Sequence, residues 1–187
     1  MTAGPGKRAA LLAATCRVIA RTGVRGLRVE EVAREAAAST TLIYYYFRNR
    51  HGLLNAAMEF VNERAGQYVA APPDLPAGER LLITLQREFQ DSREVRENSA
   101  VWGELRAAAV FDPALRSIVR DATGVWQDDI ARLVEQGHAD GSVSPNLDPR
   151  SAAIRLTALV EGLGNRWLAE LIDTATAHAL LREELER

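Results

Sequence analysis

From Ser39 to Arg50 the chain reads STTLIYYYFRNR, and the reactive groups it offers are hydroxyls, phenols and guanidiniums. At helical spacing Thr40, Thr41, Tyr44 and Tyr45 occupy i, i+1, i+4 and i+5 and form one stripe. Ile43 and Phe47, four apart, point the other way with Tyr46 at their flank. A hydroxyl gives or accepts one hydrogen bond at a base edge or a phosphate, and a methyl or ring packs on a thymine methyl. The stripe therefore suits the major groove of duplex DNA. Arg48 and Arg50 follow at once, placed for phosphates. The plainer alternative is the solvated face of an ordinary short helix, but three adjacent tyrosines left idle in water would be unusual.

Such a stripe needs elements that hold it outward. Upstream, VEEVAREA places Val29, Val32, Ala33 and Ala36 on one side of a helix and Glu30, Glu31, Arg34 and Glu35 on the other. Ser39 is a good N-cap for the next helix, because its hydroxyl accepts from a first-turn amide that otherwise lacks a partner. One helix stops and another starts within a few residues, the helix-turn-helix layout. Residues 1–6 read as a short mobile tail. A helix opened by Lys7 and Arg8 should then run to Gly23, burying Leu11, Ala14, Val18 and Ile19 against Val32, Ile43 and Phe47. Lys7 and Arg8 are within reach of phosphates, whereas Arg17, Arg21 and Arg25 read as solvated or bonded to carboxylates.

The stretch from Val32-Ala33 through Ala36-Ala37-Ala38-Ser39, Leu42-Ile43-Tyr44-Tyr45-Tyr46-Phe47, Arg50 and Leu53-Leu54 resembles the N-terminal signature of the TetR-type transcriptional repressors. The resemblance covers about the first quarter to third of the chain. It implies that Thr40, Thr41, Tyr44 and Tyr45 read or approach DNA and that Tyr46 and Arg50 hold phosphates. With Lys7, Arg8, Arg28 and Ser39 these make up the expected DNA-binding set. Ala37 stands where the family usually has Gly. An Ala at positive φ costs on the order of 1–2 kcal/mol, so the turn is expected to avoid that conformation. Arg28 replaces a frequent Thr at the start of the first helix of the pair, a poor cap but a serviceable phosphate ligand. Leu42 replaces another Thr, and Arg50 replaces a Lys with its charge kept.

Composition bounds the rest. The 187 residues are rich in Ala, Leu, Arg and Glu and contain no convincing alternating strand pattern, so the expected fold class is all-α with about nine helices. A net charge of −2 argues against a nucleic-acid binder until its distribution is examined. Residues 1–50 hold nine Lys or Arg against three Glu, a net of +6, and the remainder a net of −8. A basic head on an acidic body fits a DNA-binding module attached to a non-binding one. The expected division is a helix-turn-helix domain over 1–49 and a helical effector-binding and dimerisation domain over 50–187. The single Cys16 reads as a small buried residue. With no secretory segment and no membrane span in the pattern, the protein is expected in the cytoplasm.

Along the body, Asn49 caps a helix over about 50–70, long enough at roughly 30 Å to convey a change from body to head. The run APPDLPAG breaks it. A helix from Glu79 to about Glu97 follows, Asn98 and Ser99 restart another, and Asp112-Pro113 opens one ending near Gly137. Asp148-Pro149 opens a helix that is apolar around much of its circumference, from Ala152 to Leu171. With Leu180, Leu181 and Leu185 of the last helix it suits a two-fold four-helix interface, so a homodimer on an inverted-repeat operator is expected, its half-sites about 34 Å or more apart.

The resemblance further implies a small-molecule effector in the body. Phe60, Phe89, Trp102, Trp126 and Trp167, with Arg106 and Glu161, are the candidate lining, and Glu104 and Asn165 lie near them in sequence. Aromatics at helical spacing also serve as plain core, which leaves open a helical dimeric interaction protein or regulator without a ligand. Scattered His51, His138 and His178, and the lack of metal-spaced ligands, of a phosphate-binding Gly-rich loop or of a nucleophile elbow, speak against an enzyme, a metal or a cofactor.

Overall fold

The computed structural model describes residues 5–186, and the first four residues of the expected tail lie outside them. Among the described residues all regular structure is helical: α1 (Pro5–Gly26), α2 (Val29–Glu35), α3 (Thr40–Phe47), α4 (Arg50–Val69), α5 (Ala77–Gln86), α6 (Arg93–Ala109), α7 (Pro113–Asp140), α8 (Pro149–Leu168) and α9 (Thr174–Leu185). The chain divides into one unit of residues 1–64 with 100–120 and another of 65–99 with 121–187. It passes between them three times, each time inside a helix: α4, α6 and α7. The expectation that the helix after Asn49 alone connects head and body is corrected accordingly.

In the first unit Leu11, Leu12, Val18, Ile19, Val32, Ile43 and Phe47 are buried, as are Leu53, Leu54 and Val61 of α4 and Leu105 and Leu115 of the returning segment. Cys16 is buried, as expected. In the second unit α5 and α8 both pack on α9. The core there is built on Leu81, Leu85, Phe89, Ile130, Val134, Leu156, Val160, Leu163, Trp167 and Leu181.

The caps behave as local chemistry requires. Asp148 Oδ2 accepts from Ser151 N at 2.8 Å at the start of α8, and Asp173 Oδ1 accepts from Thr176 N at 2.8 Å at the start of α9. Two expectations differ from the fold. The helix expected over 79–97 is interrupted: α5 ends at Gln86, and α6 begins with Ser92 Oγ accepting from Val95 N at 3.2 Å, which leaves Asn98 and Ser99 inside α6. The bend lets Phe89 bury itself against Trp167, ring centroids 5.7 Å apart and nearly perpendicular. The helix after Pro149 stops at Leu168, and Leu171 is 74% exposed.

Candidate nucleic-acid interface

The interface begins with how α2 is held. Arg17 Nε lies 2.7 Å from Glu35 Oε1, and Arg21 reaches Glu31 at 2.8 Å and Glu35 at 3.3 Å, so the acidic side of α2 faces the basic side of α1. The paired guanidiniums, Arg17 foremost, hold the Glu35 carboxyl below the usual carboxylate range. Val29, Val32 and Ala33 turn to the core. Arg28 stands at the N-cap of α2, exposed and without a side-chain capping bond.

The turn into α3 overrules one expectation. Ala37 adopts φ +48° rather than avoiding the left-handed region. The reason is a closing motif at the end of α2: Ala38 N donates to Ala33 O at 2.8 Å and Ala37 N to Arg34 O at 3.2 Å. That pattern satisfies two terminal carbonyls and requires positive φ at residue 37. Ser39 then caps α3, its Oγ accepting from Leu42 N at 3.2 Å.

The eight residues of α3 separate cleanly by face. Ile43 and Phe47 are 1% and 5% exposed, whereas Tyr44 and Tyr45 are 47% and 75% exposed. Thr41 is exposed and Thr40 and Tyr46 half-buried, with the Tyr46 ring edge-on to Tyr45 at 5.4 Å. Lys7 and Arg8 are exposed on the first turns of α1, and the Arg8 guanidinium lies 5.6 Å from the centre of the Phe47 ring, at the C-terminal end of α3.

Beyond Phe47 the backbone is strained. Arg48 has φ 63° and ψ −48°, and Asn49 N donates to Phe47 O at 2.7 Å across it, the geometry of a γ-turn rarely adopted by residues other than Gly. Asn49 Oδ1 accepts from Gly52 N at 2.8 Å and starts α4. A Cβ on Gly52 would lie 2.2 Å from Phe47 O, so only glycine lets α4 begin this close to the end of α3. Arg50 is turned back on the protein: its guanidinium donates to the carbonyls of Val24 and Leu27. Arg48 is exposed immediately beside it.

Val24 marks a second feature that spacing alone did not reveal. Gly23 has φ 72° and ψ 167°, a conformation essentially restricted to glycine, and it breaks α1 where the sequence places the helix end. The freed amide of Val24 donates to Glu104 Oε2 at 3.1 Å, and a Cβ on Gly23 would meet that oxygen at 2.6 Å. Glu104, expected near a ligand, thus caps the broken end of α1. Beside it the Arg25 guanidinium lies 5.2 Å from the centre of the Phe111 ring.

The candidate effector residues fall into both units. Phe60, Trp102 and Arg106 belong to the first, where Arg64 lies 5.4 Å from the Phe60 ring centre and Arg106 5.4 Å from that of Trp102. Phe89, Trp126, Glu161 and Trp167 belong to the second. Trp126 and Glu161 are half-buried there. Phe89 and Trp167 are each 1% exposed, and a side chain bordering a void large enough for water would retain accessible surface; both are corrected from pocket lining to core. Trp167 is further fixed by Nε1 donating to Thr174 Oγ1 at 3.0 Å and by Arg96 lying 4.4 Å from its ring centre.

Comparison with known proteins agrees with this geometry. Residues 11–57 match the family model described as bacterial regulatory proteins, tetR family, and residues 77–187 match the C-terminal model of BetI-type transcriptional repressors. The HTH-type transcriptional regulator BetI of Escherichia coli O17:K52:H18 is 26% identical over 185 residues, covering 94% of this chain and 90% of that protein. A Rhodococcus sp. structure described as a TetR-family transcriptional regulator superposes with a TM-score of 0.91 at 43% identity over 96% of both chains. A transcriptional regulator from Saccharomonospora viridis, solved in complex with choline, superposes with a TM-score of 0.81 at 24% identity over 98% of this chain and 97% of that one. A capped helix pair with its polar stripe turned outward, and family matches to both ends of the chain, place this protein in the TetR family of transcriptional regulators, with a BetI-type C-terminal part.

Proposed function

We propose that this chain is a homodimeric repressor that reads an inverted-repeat operator with α3 and releases it when a small-molecule effector binds its body. The observation that carries the reading is the outward stripe of Thr40, Thr41, Tyr44 and Tyr45, which shares no residue with the buried face of Ile43 and Phe47. Thr41, Tyr44 and Tyr45 meet base edges, and Thr40 and Tyr46 lie at the groove margin. Ser39 sits at the positive end of α3, while Lys7, Arg8 and Arg28 hold phosphates. The phosphate role expected of Arg50 passes to Arg48, because the Arg50 guanidinium is already bonded to two backbone carbonyls.

Residues 1–49 form the DNA-binding domain, and residues 50–187 serve effector binding and dimerisation. On α8, Ile154, Ala158 and Gly162 repeat every four residues and are all exposed, as is Leu180 on α9, a surface fit for a second copy. Effector and DNA favour different spacings of the two heads, so each weakens the other's binding. The protein acts in the cytoplasm and has no catalytic activity of its own. The test is selection from random DNA duplexes at two salt concentrations: an inverted repeat recovered at both supports the reading, and salt-labile binding without a shared sequence overturns it.

The choline of the Saccharomonospora viridis neighbour is not carried over. A quaternary ammonium is recognised on aromatic faces, and here the chain's own guanidiniums lie over Trp167 and Trp102. Choline at millimolar concentration should leave the operator complex intact in a gel-shift titration. The second reading, a regulator without a ligand, draws support from Phe89 and Trp167 being solid core.

A further inference from the structure

Within the unit of residues 65–99 and 121–186, a cavity of about 620 Å³ opens among the first turns of α5 and α8, the connection from α7 to α8 and the last turn of α9. Its volume falls in the ligand-sized range of roughly 300–1,000 Å³. The base is apolar, with Leu81, Ala152 and Leu156 at most 3% exposed, while Leu82, Leu147 and Leu185 line it half-buried.

The walls are held in place without a ligand. Ala77 N donates to Asp140 Oδ2 at 2.8 Å, Gly78 N to Ser142 Oγ at 2.8 Å and Ser142 N to Asp140 Oδ1 at 2.9 Å. A Cβ on Gly78 would meet Ser142 O at 2.7 Å, so glycine there is what lets the connection close against α5. A site built in advance loses little entropy when it is filled.

Charge selects the ligand. Arg155 and Arg182 line the cavity. Among the described residues neither has a carboxylate within salt-bridge distance, and the charged neighbour of Arg155 is Asp148, which is committed to capping α8. The helices α5 and α8 both contribute their N-terminal, positive ends. Of the three lining carboxylates, Glu79 sits in the first turn of α5, where that positive end offsets it, Glu184 is engaged by another group, and Glu186 follows the end of α9.

We propose that this cavity is a binding site for a small monoanionic amphiphile, with an apolar body on Leu81, Leu156 and Leu185 and a carboxylate held by Arg155 and Arg182. The site is separate from the residues assigned to DNA, and it does not depend on the operator reading. The probe is decanoate, with decyltrimethylammonium and decanol as charge controls, titrated calorimetrically into the full-length protein and checked by thermal melting.

Saturable decanoate binding, a Tm rise of about 2–4 °C at tenfold excess over Kd, and at least a tenfold weakening in Arg155→Ala/Arg182→Ala are the results expected. Ser144→Trp, a change on the exposed rim, should block entry in a protein whose circular dichroism is unchanged. Absence of saturable binding overturns the proposal. So does decanoate binding that both variants leave intact, which would place the ligand elsewhere, or equal affinity for the cation or the alcohol, which would remove the role of the arginines. Operator selection with the untreated protein is a separate measurement, so failure of one reading is distinguishable from failure of the other.

Discussion

Arg48 and Arg50 differ in what surrounds their guanidiniums. Arg48 is exposed beyond α3, whereas Arg50 bonds the carbonyls of Val24 and Leu27 and ties the start of α4 to the link between α1 and α2. Arg48→Ala should therefore lower the slope of log affinity against log salt by about 1, uniformly across operator sequences. Arg50→Ala should leave that slope alone and cost about 1 kcal/mol of stability in urea denaturation. Fluorescence anisotropy over a salt series separates the two. Tyr44→Ala should alter sequence preference as well as affinity, and unchanged preference in a folded variant would remove Tyr44 from the reading face. Ala37→Gly relieves about 1–2 kcal/mol of left-handed strain and adds roughly 0.4–1 kcal/mol of unfolded-state entropy, a net gain of about 1 kcal/mol in the urea midpoint. What the sequence revealed at this scale was whatever a residue does to its near neighbours: Ser39 and Asp148 cap the helices they precede, and Gly23 breaks α1 where its type implies. The conformation of Ala37 was misjudged because the carbonyls closing α2, not the residue's own preference, set it. The partners of Arg50 were out of view because they lie 23 and 26 residues away along the chain.

At the scale of elements, two junctions rest on glycine. Gly52→Ala drives a Cβ into Phe47 O and should disrupt the connection of α3 to α4, a loss of more than about 2 kcal/mol accompanied by loss of operator binding. Gly23→Ala imposes both a forbidden φ and a contact with Glu104, on the order of 2 kcal/mol in all. Adding Glu104→Ala should restore part of this, the contact but not the backbone strain, so the two changes should be non-additive in denaturation measurements. The bond from Glu104 to Val24 joins residues 80 apart, which is why Glu104 looked in sequence like one more polar group near an aromatic cluster. The break between α5 and α6 was equally hidden. Residues 87–92 contain neither Gly nor Pro, and the helix ends there to seat Phe89 on Trp167. Element types were readable from periodicity, but where elements end was readable only where a cap or a breaker marks the place.

For the whole molecule, charge and symmetry make the predictions. Glu35, Asp140, Asp148 and Asp173 are all held below the ordinary carboxylate range, Glu35 chiefly by Arg17 and the others chiefly by hydrogen bonds from Ser142, Ser151 and Thr176. Depressed values mean that their stabilisation is fully present above the unfolded value near pH 4 and is lost as pH falls through the folded values. Thermal melts followed by circular dichroism should show Tm unaffected by these groups between pH 7 and 5 and falling steeply below about pH 4. In the dimer, Ala158→Arg with Gly162→Arg puts charge on an exposed face where Gly162 meets no neighbour of its own chain. Sedimentation should then report monomers, and operator affinity should fall on the order of 10²-fold as the second head is lost.

The separation of faces along α3 also bears on how such a regulator changes its target. Thr40, Thr41, Tyr44 and Tyr45 are not part of the packing that Ile43 and Phe47 provide, and the helix is anchored at its ends by Ser39 and Gly52. The four outward positions are thus free to vary without a folding penalty, and descendants of one ancestral chain can acquire new operators by changing those side chains alone. A library randomised at these positions, with Ser39, Ile43, Phe47 and Gly52 left as they are, should consist mostly of folded proteins that differ in the sequences they bind.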